Sequence, residues 1–203
     1  MPQDDGVPDV HHLYERFARE YDRDRGRALM ERSYLDEMLD HLGERPRILD
    51  LGCGSGEPIA SFFIEKGCEL TGVDAAPAMI VLCRKRFPKA HWLVADMRSL
   101  DIESRFDGIL AWDSFFHLAP DDQRRMFEIF AAHIAPRGLL LFTTGPQAGE
   151  ATGDFYGNTL FHASLDRQEY DSLLDGAGFT VLRHRSEDPD CGLHTVWLAQ
   201  SVR

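Results

Sequence analysis

From residue 46 onward the chain alternates two kinds of segment, and that alternation limits its fold more than any other feature. RILDLG, ELTGVD, HWLVAD, FDGILAWD and GLLLFTTG are short, nearly continuous apolar runs. PIASFFIEKG, PAMIVLCRKRF and PDDQRRMFEIFAAHIA lie among them and carry their apolar residues at helical spacing. Pro77 and Pro120 suit first helical turns, and Gly67 suits a helix end. SLDRQEYDSLLDGAG reads as a further helix, capped by Ser164 or Asp166 and ended by Gly176 or Gly178. TVLRHRS and HTVWLAQS read as two closing strands, joined by the loop EDPDCGL. Strands without a polar face must be covered on both sides, so the expected fold is α/β: a doubly wound, mostly parallel sheet with helices on both faces. In such a sheet ligands sit at the carboxyl ends of the strands, near the switch in strand order.

Two parts stand outside the alternation. Val10, Leu13, Tyr14, Phe17 and Tyr21 make one helical stripe, and Tyr34, Leu35, Met38, Leu39 and Leu42 a second, closed by Gly43. The charged break YDRDRGRA separates them, and residues 1–44 together read as a helical cap. The connection over 146–165 is longer than a strand-to-helix loop usually is, and it reads as an inserted, lid-like segment. At 203 residues the whole chain, 1–203, is most simply one domain.

The strand ends carry the chemistry. ILDLGCGSGEP closes the first strand with Gly52, Gly54 and Gly56. A triphosphate loop needs a lysine after the last glycine, and none is present. A dinucleotide loop needs its third glycine one position later, where Glu57 stands, and a carboxylate there is a poor neighbour for a pyrophosphate. The loop suits a ligand with no phosphate and some positive charge. Asp74, ending the second strand, can accept both hydroxyls of a ribose. Asp96, ending the third, can accept from an exocyclic adenine amine while the Met97 backbone meets the ring edge. Met79 and Met97 would offer polarizable surfaces to the flat base.

In their order and spacing these motifs resemble the class I S-adenosylmethionine-dependent methyltransferases, across roughly residues 30 to 200. ILDLGCGSGEP resembles the first motif, GVDAAPAM the second, ADMRSL the third and FDGILAWDSFFHL the fourth. The resemblance implies a Rossmann-like sheet of seven strands with the last antiparallel. It implies S-adenosylmethionine as cofactor and S-adenosylhomocysteine as product. It places Asp50, Gly52, Cys53, Gly54 and Gly56 along the cofactor, with Asp74 and Ala75 at the ribose. Met79, Asp96 and Met97 fall at the adenine, and Trp112 nearby. An N-terminal helix often covers the cofactor in this family, so Tyr21 or Arg27 would reach the methionine carboxylate.

The acceptor side is less defined, because methyl transfer needs alignment and water exclusion, and a base only where the acceptor must lose a proton first. AWDSFFHL departs from the Asn-Pro-Pro-aromatic motif of relatives that methylate amides or base amines. Asp113, His117 and His162 are the candidate catalytic residues, with His117 a base oriented by Asp113 if the segment is helical. Phe116, Thr144, Phe155, Tyr156 and Phe161 are candidate acceptor contacts. The three aromatics of the long connection would either fold over the acceptor or belong to a small hairpin packed on the sheet edge. The spacing of these residues is not that of a metal site, and none is expected.

A formal net charge of -12 disfavours nucleic acid as a partner, and no apolar run reaches the length of a membrane span. With an acidic N-terminus and four cysteines lacking paired spacing, the expectation is a cytoplasmic protein with reduced thiols. The sequence-level reading is a methyltransferase for a small-molecule acceptor. Its alternatives are a cofactor-binding module without transfer activity and, from the glycines and Asp74 alone, a nicotinamide-dependent oxidoreductase.

Overall fold

The computed structural model describes residues 10–203, so the first nine residues of the expected cap lie outside the described residues. Seven strands form one sheet: β1 (Arg47–Leu51), β2 (Glu69–Asp74), β3 (His91–Val94), β4 (Phe106–Ala111), β5 (Ile134–Thr144), β8 (Phe179–Asp188) and β9 (His194–Ser201). Their order is β3-β2-β1-β4-β5-β9-β8. The pairs among β1 to β5 are parallel, and β9 runs antiparallel to both of its neighbours. The seven-stranded, mostly parallel sheet expected from the sequence is present.

The two-residue alternation of each strand decides what covers each face. Leu49, Leu51, Ile109, Ala111, Leu140 and Phe142 point one way, onto α6 (Pro120–His133) and α7 (Arg167–Gly176). Ile48, Leu110, Leu139, Leu141 and Leu198 point the other way, onto α3 (Arg32–Asp40), α4 (Ile59–Glu65) and α5 (Pro77–Arg86). Pro77 and Pro120 open their helices as expected, and Asp166 rather than Ser164 caps α7 by accepting from the Glu169 amide. At the floor of the first layer Phe142 stacks on Trp197, with centroids 5.9 Å apart and planes 9° from parallel. Both rings are almost fully buried, the condition under which an aromatic contributes most.

Two expectations need correction in detail. The stripe from Val10 to Tyr21 is two short helices, α1 (His11–Arg16) and α2 (Ala18–Asp24), because Phe17 leaves helical geometry at φ -109, ψ 22. The long connection is an antiparallel hairpin, β6 (Gly149–Phe155) and β7 (Asn158–Ser164), turning at Tyr156 and Gly157, both at positive φ. The hairpin packs on the cap, not on the sheet edge. Phe155 lies 4.8 Å from Tyr14 and 6.1 Å from Tyr21, and Phe17 stacks on Tyr156 at 5.2 Å. Cap and hairpin therefore brace one another above the carboxyl ends of the strands. Among the described residues no helix is long and apolar enough to cross a membrane.

Candidate active site

A cavity of about 500 Å³ opens at the carboxyl ends of β1 to β4, under the cap. Its floor is the glycine loop. Gly52, Gly54 and Gly56 have φ of 76°, 53° and 81°, in the left-handed region that glycine occupies without penalty. Gly52 has a second reason to be glycine, since a Cβ there would stand 2.3 Å from the Ser114 Cβ. The loop is tied down by the Gly52 and Cys53 amides, both donating to the Val73 carbonyl at 2.8 and 3.1 Å. Arg86 fastens it from the side, donating to the Ser55 carbonyl at 2.6 Å and to the Asp22 carboxylate of α2 at 2.8 Å.

Neighbouring strand ends supply carboxylates in spatial order. Asp50 is 3% exposed, and burial, helped by the nearby Asp74 charge, pushes its carboxyl up to about 7. Asp74 is held by the Gly54 amide at 2.9 Å and the Ala76 amide at 2.8 Å, which fix the two oxygens separately. Burial raises the Asp74 pKa, and those two amides oppose the rise. Asp96 caps the short turn Met97–Ser99 and holds Arg98, whose Nη2 lies 2.6 Å from Oδ2. Arg98 in turn reaches Asp122 of α6 at 3.1 Å, so the Asp96 wall is tied to that helix. Both Asp96 oxygens are thus engaged by Arg98, through its amide and its guanidinium.

The fourth strand end and the cap close the other side. The Asp113 backbone turns through a positive φ of 50°, and its carboxylate Oδ1 lies 2.8 Å from His194 Nε2. Tyr14 donates its hydroxyl to His117 Nε2 at 3.1 Å, while His117 Nδ1 lies 2.9 Å from the Phe161 carbonyl. A carbonyl can only accept, so Nδ1 carries the ring proton and Nε2 is the basic nitrogen. Burial lowers the His117 pKa to about 4 against the pull of that carbonyl, which keeps the ring neutral at neutral pH. Tyr14→Phe removes the one donor that Nε2 has among the described residues. The expected loss is about 1 kcal/mol of stability, read by chemical denaturation; an unchanged midpoint would mean that the contact contributes nothing.

The cavity brings together Tyr21, Asp50, Gly52, Cys53, Gly54, Asp74, Ala75, Asp96, Met97, Trp112, Asp113 and His117. Other sequence candidates sit behind that wall. Gly56 faces Cys83, Phe87 and Trp92. Met79 is fully buried beneath Ala18 and Ala76 of the cap contact, so it is packing and not a face for a base. Thr144 accepts from the Trp197 indole at 3.1 Å and donates to the Gly145 carbonyl. His162 and Phe116 form a second layer, 4.8 and 4.9 Å from the His117 ring. Phe161 serves through its carbonyl, Phe155 braces the cap, and Tyr156 is exposed and bonds Asp24. Three participants went unnoticed in sequence. Arg25 lines the cavity, whereas Arg27 is exposed and turned onto Asp22. Tyr14 lines it as well, and His194 stands behind Asp113.

The strand order and the glycine loop give the chain the class I S-adenosylmethionine-dependent methyltransferase fold. Residues 48–138, which carry the glycine loop and the following strand ends, match the family described as a methyltransferase domain. A putative methyltransferase, YqeM, of Bacillus subtilis is 31% identical over 140 residues, covering 64% of this chain and 54% of that one. A malonyl-[acyl-carrier protein] O-methyltransferase of Enterobacter lignolyticus is 27% identical over 155 residues, 72% of this chain and 61% of that one. The match thus spans between half and two thirds of these curated relatives. Among solved structures, the 1,6-didemethyltoxoflavin-N1-methyltransferase of Burkholderia thailandensis, bound to 1,6-didemethyltoxoflavin and S-adenosylhomocysteine, superposes with a TM-score of 0.74. It shares 24% identity over 96% of this chain and 88% of its own, a likeness of fold.

Proposed function

We propose that this protein transfers a methyl group from S-adenosylmethionine to a small-molecule acceptor. The observation that carries the reading is the glycine cradle beside three carboxylates at successive strand ends, Asp50, Asp74 and Asp96. Gly52 leaves space that any side chain would fill, and Asp74 presents two fixed oxygens, one of them bonded to the loop at the Gly54 amide. The residues fit the cofactor in kind as well as in place. Asp50 meets the need of a ligand ammonium for an anion, Asp74 that of a ribose diol, and Met97 with Asp96 that of an adenine. Arg25, half-buried at the cap, is the cation for the methionine carboxylate, a role earlier open between Tyr21 and Arg27. When bound, the cofactor supplies a methyl group on a sulfonium whose sulfur takes back the electron pair of the breaking bond.

The chain's own work is alignment and exclusion of water. The cap covers the cavity and the hairpin braces the cap, while Asp113 and His117 face the position next to the glycine loop at the end of β4. A neutral His117 with a free-electron-pair Nε2 accepts a proton from an acceptor once Tyr14 yields its bond. The net charge of -12 argues for a small molecule over a nucleic acid, and the unpaired cysteines accord with a cytoplasmic setting.

Methyl-labelled S-adenosylmethionine offered with a metabolite extract should yield a labelled product. Tight binding of S-adenosylhomocysteine with no product would favour the binding module. A thermal shift with NAD and none with S-adenosylhomocysteine would point to nicotinamide chemistry. Within this reading Asp96→Ala weakens S-adenosylhomocysteine binding by roughly 5- to 20-fold, the effect of losing one half-buried polar partner. Unchanged affinity in a calorimetric titration would remove Asp96 from the site.

A further inference from the structure

Strand order lays the cavity out as a line. Asp96 follows β3, Asp74 follows β2, the glycine loop follows β1, and Asp113 follows β4. If the adenosine occupies the first three positions, as the methyl-transfer reading requires, the acceptor meets the fourth. The polar groups there share one property: nearly all of them accept hydrogen bonds.

Asp113 offers a carboxylate whose Oδ1 is bound by His194 and whose Oδ2 lies 3.7 Å from Arg25. His117 has spent its N–H on the Phe161 carbonyl and its Nε2 lone pair on the Tyr14 hydroxyl, so it offers no donor here. Tyr14 has spent its proton on that nitrogen and presents oxygen lone pairs. Arg25 is the cation within reach, and it is assigned to the methionine carboxylate. A ligand group placed here must donate.

His194 explains why Asp113 holds its place. Its Nδ1 lies 2.7 Å from the Cys191 carbonyl and its Nε2 2.8 Å from Asp113 Oδ1. Both partners accept, so both nitrogens must donate, and the ring is an imidazolium. The bond to Asp113 is the main cause that raises the His194 pKa, with the Cys191 carbonyl and the Glu31 charge adding to it against burial. Trp112 stacks on the ring with centroids 5.4 Å apart, a cation over an aromatic face. Glu31 is 1% exposed, and its Oε1 has no hydrogen-bond partner among the described residues, as expected where burial keeps its carboxyl raised. The Asp113 backbone is left-handed, at φ 50°. Here it turns the carboxylate between His194 and the cavity.

We infer that Asp113 is the acceptor-binding group, that the acceptor is an amine, and that His194 is the positioning residue that holds the Asp113 carboxylate. The inference rests on the methyl-transfer reading. Asp113 touches the acceptor, whereas His194 acts only through Asp113. An amine, with two or more N–H bonds, can donate to Asp113 Oδ2 and to the Tyr14 oxygen together; a carboxylate finds, among the described residues here, only the Tyr21 hydroxyl and Arg25 to set against the Asp113 charge.

The test uses the full chain saturated with S-adenosylhomocysteine, and benzylamine, benzyl alcohol and benzoate as probes in ligand-observed NMR titrations. Benzylamine should bind roughly tenfold more tightly than either of the others, as one charge-assisted hydrogen bond allows. Asp113→Asn should erase that preference. His194→Ala should weaken benzylamine severalfold, and His194→Gln, whose amide can donate to the same oxygen, should restore most of it. A purely structural histidine would not be rescued in this ratio. Benzoate or benzyl alcohol binding as tightly as benzylamine, no benzylamine binding, or an unaltered ranking in His194→Ala would each overturn the inference. The ranking in the unmodified protein needs no variant to fold. S-adenosylhomocysteine binding with the wrong ranking sinks this assignment alone; its failure to bind sinks the methyl-transfer reading with it.

Discussion

Gly52→Ala should lower the affinity for S-adenosylhomocysteine by about 100-fold or more, about 2.7 kcal/mol. Two causes act together. The backbone at Gly52 has φ 76°, where an L-residue is disfavoured by roughly 1 to 2 kcal/mol. The new methyl would also stand 2.3 Å from the Ser114 Cβ, a separation no pair of carbons sustains. Ser114 cannot simply turn away, because its hydroxyl is bonded to the Leu51 carbonyl at 2.7 Å and its Cβ does not move with its rotamer. Either the loop or the end of β4 must shift, and both form the cavity wall. Gly67→Ala separates the causes: φ there is 82°, yet nothing lies within 4 Å of the added methyl. That variant should lose stability from backbone strain alone and bind normally. Gly52→Ala combined with Ser114→Gly should recover a good part of the lost affinity, since it removes the clash and leaves the strain. Affinity within about threefold of the parent in Gly52→Ala, where 100-fold corresponds to the estimate above, would show that the loop does not shape the site.

How legible this arrangement was in the sequence depended on how local each cause is. The strands of the sheet were readable because burial on both faces leaves unbroken apolar runs such as LLLF, and the helix starts because Pro77 and Pro120 act within one turn. The glycine loop was readable because positive φ is enforced where it occurs. The hairpin was not, for the opposite reason: the residues of β6 are exposed up to Phe155, so no apolar alternation marks the strand. Arg25 and Arg27 differ by two positions, and only the end of α2 at Asp24 decides which of them turns inward. His194 and Asp113 lie 81 residues apart, and their meeting needs the pairing of Thr144 with Thr195 in the antiparallel β5–β9 ladder. A last strand that runs antiparallel begins at the end where the parallel strands finish. That rule, applied to HTVWLAQS, points to its first residue as a site residue. Met79 fails by a similar margin, since α5 buries Met79, Ile80 and Cys83 and the first of them faces the cap.

Binding of S-adenosylhomocysteine should strengthen as pH rises from about 6 to 7 and level off above, with Asp50 as the cause. In the free protein burial and the neighbouring Asp74 hold the Asp50 carboxyl at about 7. Below that value Asp50 is protonated, so a ligand ammonium placed against it must first expel a proton; above it the anion is ready. By linkage the affinity changes by up to about tenfold per pH unit on the acid side. The same shift has the opposite sense for the free protein. A carboxyl whose folded pKa lies above its unfolded value destabilises the fold increasingly as pH climbs from the unfolded pKa of roughly 4 toward 7, after which the loss is complete. Ligand-free melting temperature should therefore fall over that window while the thermal shift produced by the ligand grows. Calorimetry at pH 6.5 in buffers of different ionisation enthalpy reads the released proton directly. Asp74 is the group most able to share this titration, so Asp50→Asn and Asp74→Asn need to be compared. Asp50→Asn should flatten the pH dependence and weaken binding at pH 8, where the parent has its full negative charge. A parent protein that binds equally at pH 6 and pH 8 and releases no proton would place the ligand's ammonium away from Asp50. The cradle would then hold the ligand by its ribose and base alone.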